Sequence, residues 1–502
     1  MRPKSMLVVT LAAIALALTG VRLASRSIRS SASVRSRRAP GRPVNSHRTW
    51  ARNLRLARLG LRSSRRYALH RARITFASVE RAQGLDTAFQ IRTAEEVTAE
   101  LGNMKGAMMK IGQMASYLDT GLPDHVRQTM ASLQHDAPPM APELAAEQVR
   151  AELGATPDEL FDRWDERPIA SASIGQVHRA VTHDGRAVAV KVQYPGVAEA
   201  VAADLRNAGW LFGVLASLFP GVDPDPIVDE IRSRLLEELD YEIEADNQRL
   251  FHHYFDGHPY ISVPSIIDEF STGRILTSDL AVGSRFDEVV AWSEEERNLA
   301  AETLFRFSFG AIYRLHAFNG DPHPGNYLFN SGGRVTFLDF GLVKRFDPAE
   351  TVLFEELIRE MVVKRDAVAF RRIVEGAGIL GREAPFDDDL VENYFSYYYR
   401  YVMTDGPVTI DADYAAGGVQ HLFDTSGPYG ELMKHLNVPP SFVVVQRITL
   451  GLMGLFAQLE ATANWQRIAA ELWPFTSSPP STPMGEEIRT WRQANTQPVY
   501  GI

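Results

Sequence analysis

The sequence predicts an α+β fold of two lobes: a small β-rich lobe over 166–283 and a larger, mostly helical lobe over 284–473, with a helical extension in front. Three observations carry this. A strong hairpin pattern, Val177–Val181 and Arg186–Val192 flanking Asp184-Gly185, lies in the first lobe. Helical periodicity dominates after Ser284, apart from 319–343. A chain of 502 residues also exceeds one small domain and suits two lobes with extensions at both ends.

Composition narrows the chemistry. There is no cysteine, which excludes disulfides, thiol nucleophiles and cysteine-ligated zinc and leaves carboxylates, Lys, His or a bound metal. The net charge of −9 hides an asymmetry: residues 1–75 hold 18 Lys and Arg and no acid, leaving 35 basic and 62 acidic residues, or −27, in the remainder. A basic arm on an acidic body favours an anionic membrane or nucleic acid.

The N-terminus favours the membrane. Residues 1–21 contain an apolar run, Met6–Val21, between Lys4 and Arg22. As a helix of 17 residues from Ser5 it spans about 26 Å, slightly short of a bilayer core of roughly 30 Å, and flanking cations can snorkel across the deficit. A cleaved signal peptide is the competing reading. The arginines after the run outnumber Arg2 and Lys4, which keeps that side, and the catalytic body, cytoplasmic. Residues 22–75 form a basic linker, Ser/Arg/Pro-rich to Ser46; the stretch after Trp50 reads either as a lipid-facing amphipathic helix or as a solvated basic helix.

The extension, 76–165, opens a helix at the capping box Thr93/Glu96, with Val97, Leu101, Met104, Met108, Ile111 and Leu118 on one face. Such a stripe is usually core. Off the stripe stand Lys110, Gly112 and Gln113 of the run KIGQ. In the β-rich lobe, alternation puts Ala187, Ala189 and Lys191 on one face and Val188, Val190 and Val192 on the other. A long helix is expected from Pro226 past Asn247, on Val228, Ile231, Leu235 and Leu239. Residues 474–502 read as a loose tail.

The chemistry concentrates in Asp321-Pro322-His323-Pro324-Gly325-Asn326 and, after a turn, a strand ending in Asp339-Phe340-Gly341. Phosphoryl transfer from ATP needs one carboxylate to orient the nucleophile, and an amide plus a second carboxylate to hold Mg2+ on the phosphates. Asp321, Asn326 and Asp339 supply them in protein-kinase order. Singly, each has a bland reading as a turn or surface residue; the joint spacing is what argues for function. Upstream, Lys191 follows Val188-Ala189-Val190 on a strand, able to reach phosphate oxygens while Ala187 and Ala189 leave room for an adenine ring. Alone it would be an ordinary strand lysine. Its partner is Glu244, within an acidic run that includes Glu238 and Asp240 and otherwise reads as a solvated face. Asp240 and Glu244, four apart, repel on a bare helix. No glycine-rich loop and no P-loop motif is present; the corresponding loop is Ala170-Ser171-Ala172-Ser173.

Taken together, KIGQ at Lys110–Gln113, PIASASIGQVH at Pro168–His178, VAVK ending at Lys191, ELDYEIEADN at Glu238–Asn247, DPHPGN and DFG resemble the UbiB family of atypical protein-kinase-like ATPases, over about Arg92–Arg345. The resemblance implies a two-lobed kinase-like fold in which Ala170–Ser173 replaces the glycine-rich loop over the nucleotide. It also implies regulatory roles for Lys110 and Gln113 in a K-x-G-Q helix lying over the pocket, and for Glu238 and Asp240 in an E-x-D motif. Phe318-Asn319-Gly320 and the hinge Leu276–Leu280 depart from the pattern. The implied function is an atypical ATPase using ATP and Mg2+ in quinone or isoprenoid-lipid metabolism at a membrane of anionic or isoprenoid lipid. A conventional protein kinase and a catalytically inactive ATP-binding scaffold are the alternatives. No nucleic-acid partner is expected, since the basic arm lacks aromatic interleaving and any recognised module.

Overall fold

The structure is a computed structural model that describes residues 140–172, 174–198, 237–424, 427–437 and 439–495. The apolar N-terminal run, the basic arm, Lys110 and Gln113 of the KIGQ helix, and Ser173 lie outside the described residues. Among the described residues, no helix is long and apolar enough to cross a membrane.

Helix α1 (Pro142–Leu153) starts with proline at its first turn and ends at Gly154, whose φ of +81° suits a residue without a side chain. It covers the back of a five-stranded antiparallel sheet. The strands are β1 (Arg163–Trp164), β2 (Ala170–Ser171), β3 (Gly175–Val181), β4 (Ala187–Gln193) and, beyond β5 (Ile261–Ser262), β6 (Ile275–Asp279). The order is β1-β3-β4-β6, with β2 also on β3. The hairpin closes where expected, Gly185 taking φ +87° and Thr182 pairing with Arg186. Val188, Val190 and Val192 are completely buried against Val149 and Phe161, each burial contributing about 1.5–3 kcal/mol. Ala189 and Lys191 face the other way, into the cleft. The sheet begins at Arg163, three residues before the boundary expected at 166, and α1 packs on it although it belongs to the stretch read as extension. A two-residue strand carries too little alternation to be legible.

The helix expected through Asp240 is broken there. Helix α2 spans Tyr241–Tyr254, and Asp240 is its N-cap, extended at φ −116°, accepting from the Glu242 amide at 3.0 Å. The Tyr241 amide donates to Gly273 O at 2.9 Å instead of to a preceding helical turn. Asp240 and Glu244 are therefore not stacked neighbours on one helix face, and the repulsion expected between them does not arise in that form. An aspartate is favoured at an N-cap and neutral to unfavourable inside a helix.

The larger lobe is organised on α3 (Glu294–Leu315), capped by Ser293 and buried along most of its length. It delivers the chain into β7 (Ala317–Asn319), β8 (Tyr327–Asn330), β9 (Arg334–Phe337) and β10 (Val343–Arg345). β8 and β9 form a hairpin that β5 joins in parallel, and β7 pairs with β10. Helices α4 (Pro348–Ile358), α5 (Ala367–Gly376), α6 (Asp388–Met403), α7 (Ala412–Phe423), α8 (Pro440–Leu459) and α9 (Trp465–Leu472) complete the core.

The segment read as a loose tail contains a further helix, α10 (Pro483–Ala494), with Met484 and Ile488 buried. Thr482 caps it and Pro483 begins it, a helix-start signal that the surrounding prolines and serines disguise. It is tied down by a buried network: Arg306 of α3 donates to Glu302 and to Glu471 of α9, each at 2.8 Å, and to the Thr482 hydroxyl at 3.1 Å.

Candidate active site

Strand β4 sends Lys191 toward α2, where the Asp240 cap sets the helical phase that buries Glu244. Lys191 Nζ donates to both Glu244 oxygens, at 2.6 and 2.8 Å, and stands 3.8 Å from Asp339 Oδ2. Its ammonium also lies 5.0 Å from the Tyr241 ring centre. Burial opposes the lysine charge, but Glu244 and Asp339 outweigh it and hold its pKa above the ordinary value. Burial drives Glu244 up to about 7 against the pull of Lys191, with Asp339 adding to the rise. One ammonium thus serves two carboxylates, and the excess negative charge is of the sign a cation relieves.

Asp339 follows β9 and is fixed from both sides. Asn319 Nδ2 donates to its carbonyl at 2.7 Å, and its Oδ1 accepts the Gly341 amide at 2.9 Å. A Cβ at position 341 would stand 3.3 Å from that Oδ1 and 3.4 Å from Glu244 Oε2, so glycine keeps the two carboxylates' space open. Phe340 is fully buried, its ring 5.1 Å from Phe251 of α2. Across the cleft floor, Asn326 Nδ2 donates to Asp321 O at 3.0 Å and to Asp321 Oδ2 at 3.1 Å, while Leu338 N donates to Asn326 O at 3.0 Å. These bonds commit the Asn326 amide nitrogen, so a cation would meet its amide oxygen.

The cleft holds about 340 Å³ and is lined by Ala170, Ser171, Ala172, Ala189, Lys191, Glu238, Glu244, Asp321, Asn326 and Asp339. The structure therefore gathers these sequence-selected residues in one place. Asp240 stands apart as a helix cap, and Ser173, Lys110 and Gln113 lie outside the described residues. Oxygen donors from one carboxylate and one amide suit Mg2+, which takes few protein ligands and shares its shell with phosphate and water.

Sequence reasoning missed Leu328, which lines the cleft two residues past Asn326, and assigned no role to Asn247. Buried Asn247 donates to Phe340 O at 3.1 Å and accepts from Arg345 at 3.0 Å, linking α2 directly to the DFG segment. Only the motif ELDYEIEADN signalled it. Asn247→Ala is expected to raise the Mg2+ concentration needed for half-maximal nucleotide binding about tenfold, the scale of one lost buried hydrogen bond. Titrating Mg2+ at fixed ATP checks this; an unchanged Mg2+ requirement would reduce Asn247 to a packing residue.

Residues 132–374 match the family model described as the ABC1 atypical kinase-like domain. An uncharacterized aarF domain-containing chloroplast protein kinase of Arabidopsis thaliana is 29% identical over 82% of this chain and 57% of its own length. The mitochondrial atypical kinase COQ8 of Saccharomyces cerevisiae is 30% identical over 58% of each chain, and COQ8B of Danio rerio 30% over 60% of this chain and 48% of its own. The chain thus spans about half to three fifths of the length of these curated relatives. Among solved structures, the Mycobacterium tuberculosis protein Rv3197, in complex with erythromycin, matches with a TM-score of 0.57 and 28% identity, over 79% of this chain and 100% of that one.

Proposed function

We propose a function from one premise: the chain belongs to the UbiB family, whose ABC1 atypical kinase-like domain it carries. It binds ATP with Mg2+, hydrolyses it or transfers its γ-phosphoryl group, and serves quinone or isoprenoid-lipid metabolism at a membrane, with the catalytic body on the cytoplasmic side. The observation that supports this most is the convergence of the Lys191, Glu244 and Asp339 cluster with the Asp321–Asn326 loop on one cleft.

Lys191, oriented by Glu244, presents its charge to phosphate oxygens. Asp321 orients the attacking hydroxyl or water and accepts its proton. Asn326 and Asp339 would hold Mg2+, which when bound neutralises charge on the phosphates. The small side chains of Ala170–Ala172 let the β2–β3 turn approach the nucleotide where bulkier residues would exclude it. Glu238 lines the same cleft, in position to meet a lysine such as Lys110 and so regulate access; Asp240 acts through the cap it provides.

The test follows the γ-phosphate of labelled ATP with and without isoprenoid lipids and anionic vesicles. Mg2+-dependent release or transfer, raised by the lipids, is expected. Absence of Mg2+-dependent turnover under every condition would sink the enzymatic reading, and transfer to protein substrates alone would favour a conventional protein kinase.

A further inference from the structure

The larger lobe contains a second, partly open cavity of about 210 Å³, which shares no lining residue with the nucleotide cleft and is lined by residues of α3 to α9. Native interiors pack to crystal density and seldom keep voids much larger than a water molecule. An apolar cavity of about 150 Å³ already accepts benzene. Its walls are mostly aromatic, among them Phe370, Tyr394, Phe395 and Tyr398. The source is the tyrosine-dense stretch Tyr394–Tyr401 of α6, which nothing at the nucleotide cleft uses.

The polar content is small and specific. Arg400 is the one charged residue among the described lining. Its guanidinium lies 4.1 Å from the Tyr397 ring centre and 3.8 Å from that of Tyr414, and it donates to Tyr414 O at 2.9 Å, so its charge is held by the wall. The Tyr394 and Tyr398 hydroxyls stand 3.5 Å apart, and Gln446 of α8 lines the same cavity. An apolar chamber with a few uncharged hydrogen-bonding groups selects a neutral ring compound bearing a carbonyl or hydroxyl.

The cavity also leans on the catalytic loop. Helix α8 contributes Val445, Gln446, Thr449 and Met453 to the wall. On the same helix, a Cβ at Gly451 would fall 2.5 Å from Pro322 Cγ, so α8 and the residue after Asp321 are in closest approach. A ligand that shifts α8 therefore shifts the support of Asp321.

We infer that this cavity is a binding site for a small neutral aromatic compound carrying one carbonyl or hydroxyl, coupled through α8 to the Asp321 loop. The binding is independent of the Mg-ATP reading; the coupling rests on it.

Benzophenone, neutral, with two rings and one carbonyl, is the probe. The full-length protein is irradiated with it, without nucleotide, and the adducts are mapped by mass spectrometry. Adducts are expected to concentrate on cavity residues of α6 and α8, and Gly418→Leu to cut their yield at least about fivefold. Gly418 lines the cavity, and a Cβ there makes an ordinary 3.5 Å contact with Leu450, so the added side chain fills the void without a backbone clash. Ala415→Leu, on the same wall, is the second variant should the first lower the melting temperature. Adducts scattered over the surface, or undiminished in both variants, overturn the site. With benzophenone saturating, Mg-ATP affinity is expected to change about fivefold or more. Mapped adducts with unchanged Mg-ATP affinity overturn the coupling.

Discussion

Asp339→Asn is expected to abolish the Mg2+-dependent part of nucleotide binding and to cut ATP turnover by about 100-fold or more, the scale of losing one preorganised charge at a phosphoryl-transfer site. The substitution is nearly isosteric, and asparagine's amide oxygen can still accept the Gly341 amide that Asp339 Oδ1 now takes at 2.9 Å. The Asn319 bond goes to the backbone carbonyl and is untouched. What disappears is the carboxylate charge, both for a cation and for Lys191 at 3.8 Å. Thermal-shift titrations with Mg-ATP and with ATP plus EDTA separate the terms: the wild type should show an extra Mg2+-dependent shift and the variant none. An equal Mg-ATP shift in both proteins would remove Asp339 from the metal site, and the proposed mechanism with it.

Arg306→Met is expected to cost about 3–5 kcal/mol, because it strips the partner from buried carboxylates without removing them. Arg306 is 4% exposed and Glu302 5%. Both Glu302 and Glu471 lie 2.8 Å from the guanidinium, and the Thr482 hydroxyl that caps α10 donates to Glu302 at 2.6 Å. The loss should appear as a fall in melting temperature on the order of 5–15 °C. Adding Glu302→Gln and Glu471→Gln to Arg306→Met should recover most of it, since neutral amides carry no stranded charge. A melting temperature within about 1 °C of wild type for the single variant would show that water or another cation reaches these carboxylates. The network holds α9 and α10 against α3, whose C-terminal end leads into β7 and the Asp321 loop.

The fold class, the hairpin and the identities of the residues that gather at the cleft were legible in the residue order. The reason is local: strand alternation around Lys191 needs only a period of two, the Asp184-Gly185 turn needs only its own φ, and the D-x-x-x-x-N and DFG runs carry their spacing within a few residues. Tertiary structure decided the rest. Asp240 looks helical by periodicity, yet it caps α2 because the Tyr241 amide is taken by Gly273, more than thirty residues on. Asn247 gains its place only when α2 meets Phe340 and Arg345, more than ninety residues away, and α10 is held by an arginine in α3. The Tyr394–Tyr401 stretch reads as ordinary helix until α3, α5 and α8 close around it. Each of these depends on a hydrogen bond or packing partner distant in the chain, and a partner's position follows from how the lobes close, which no local period encodes.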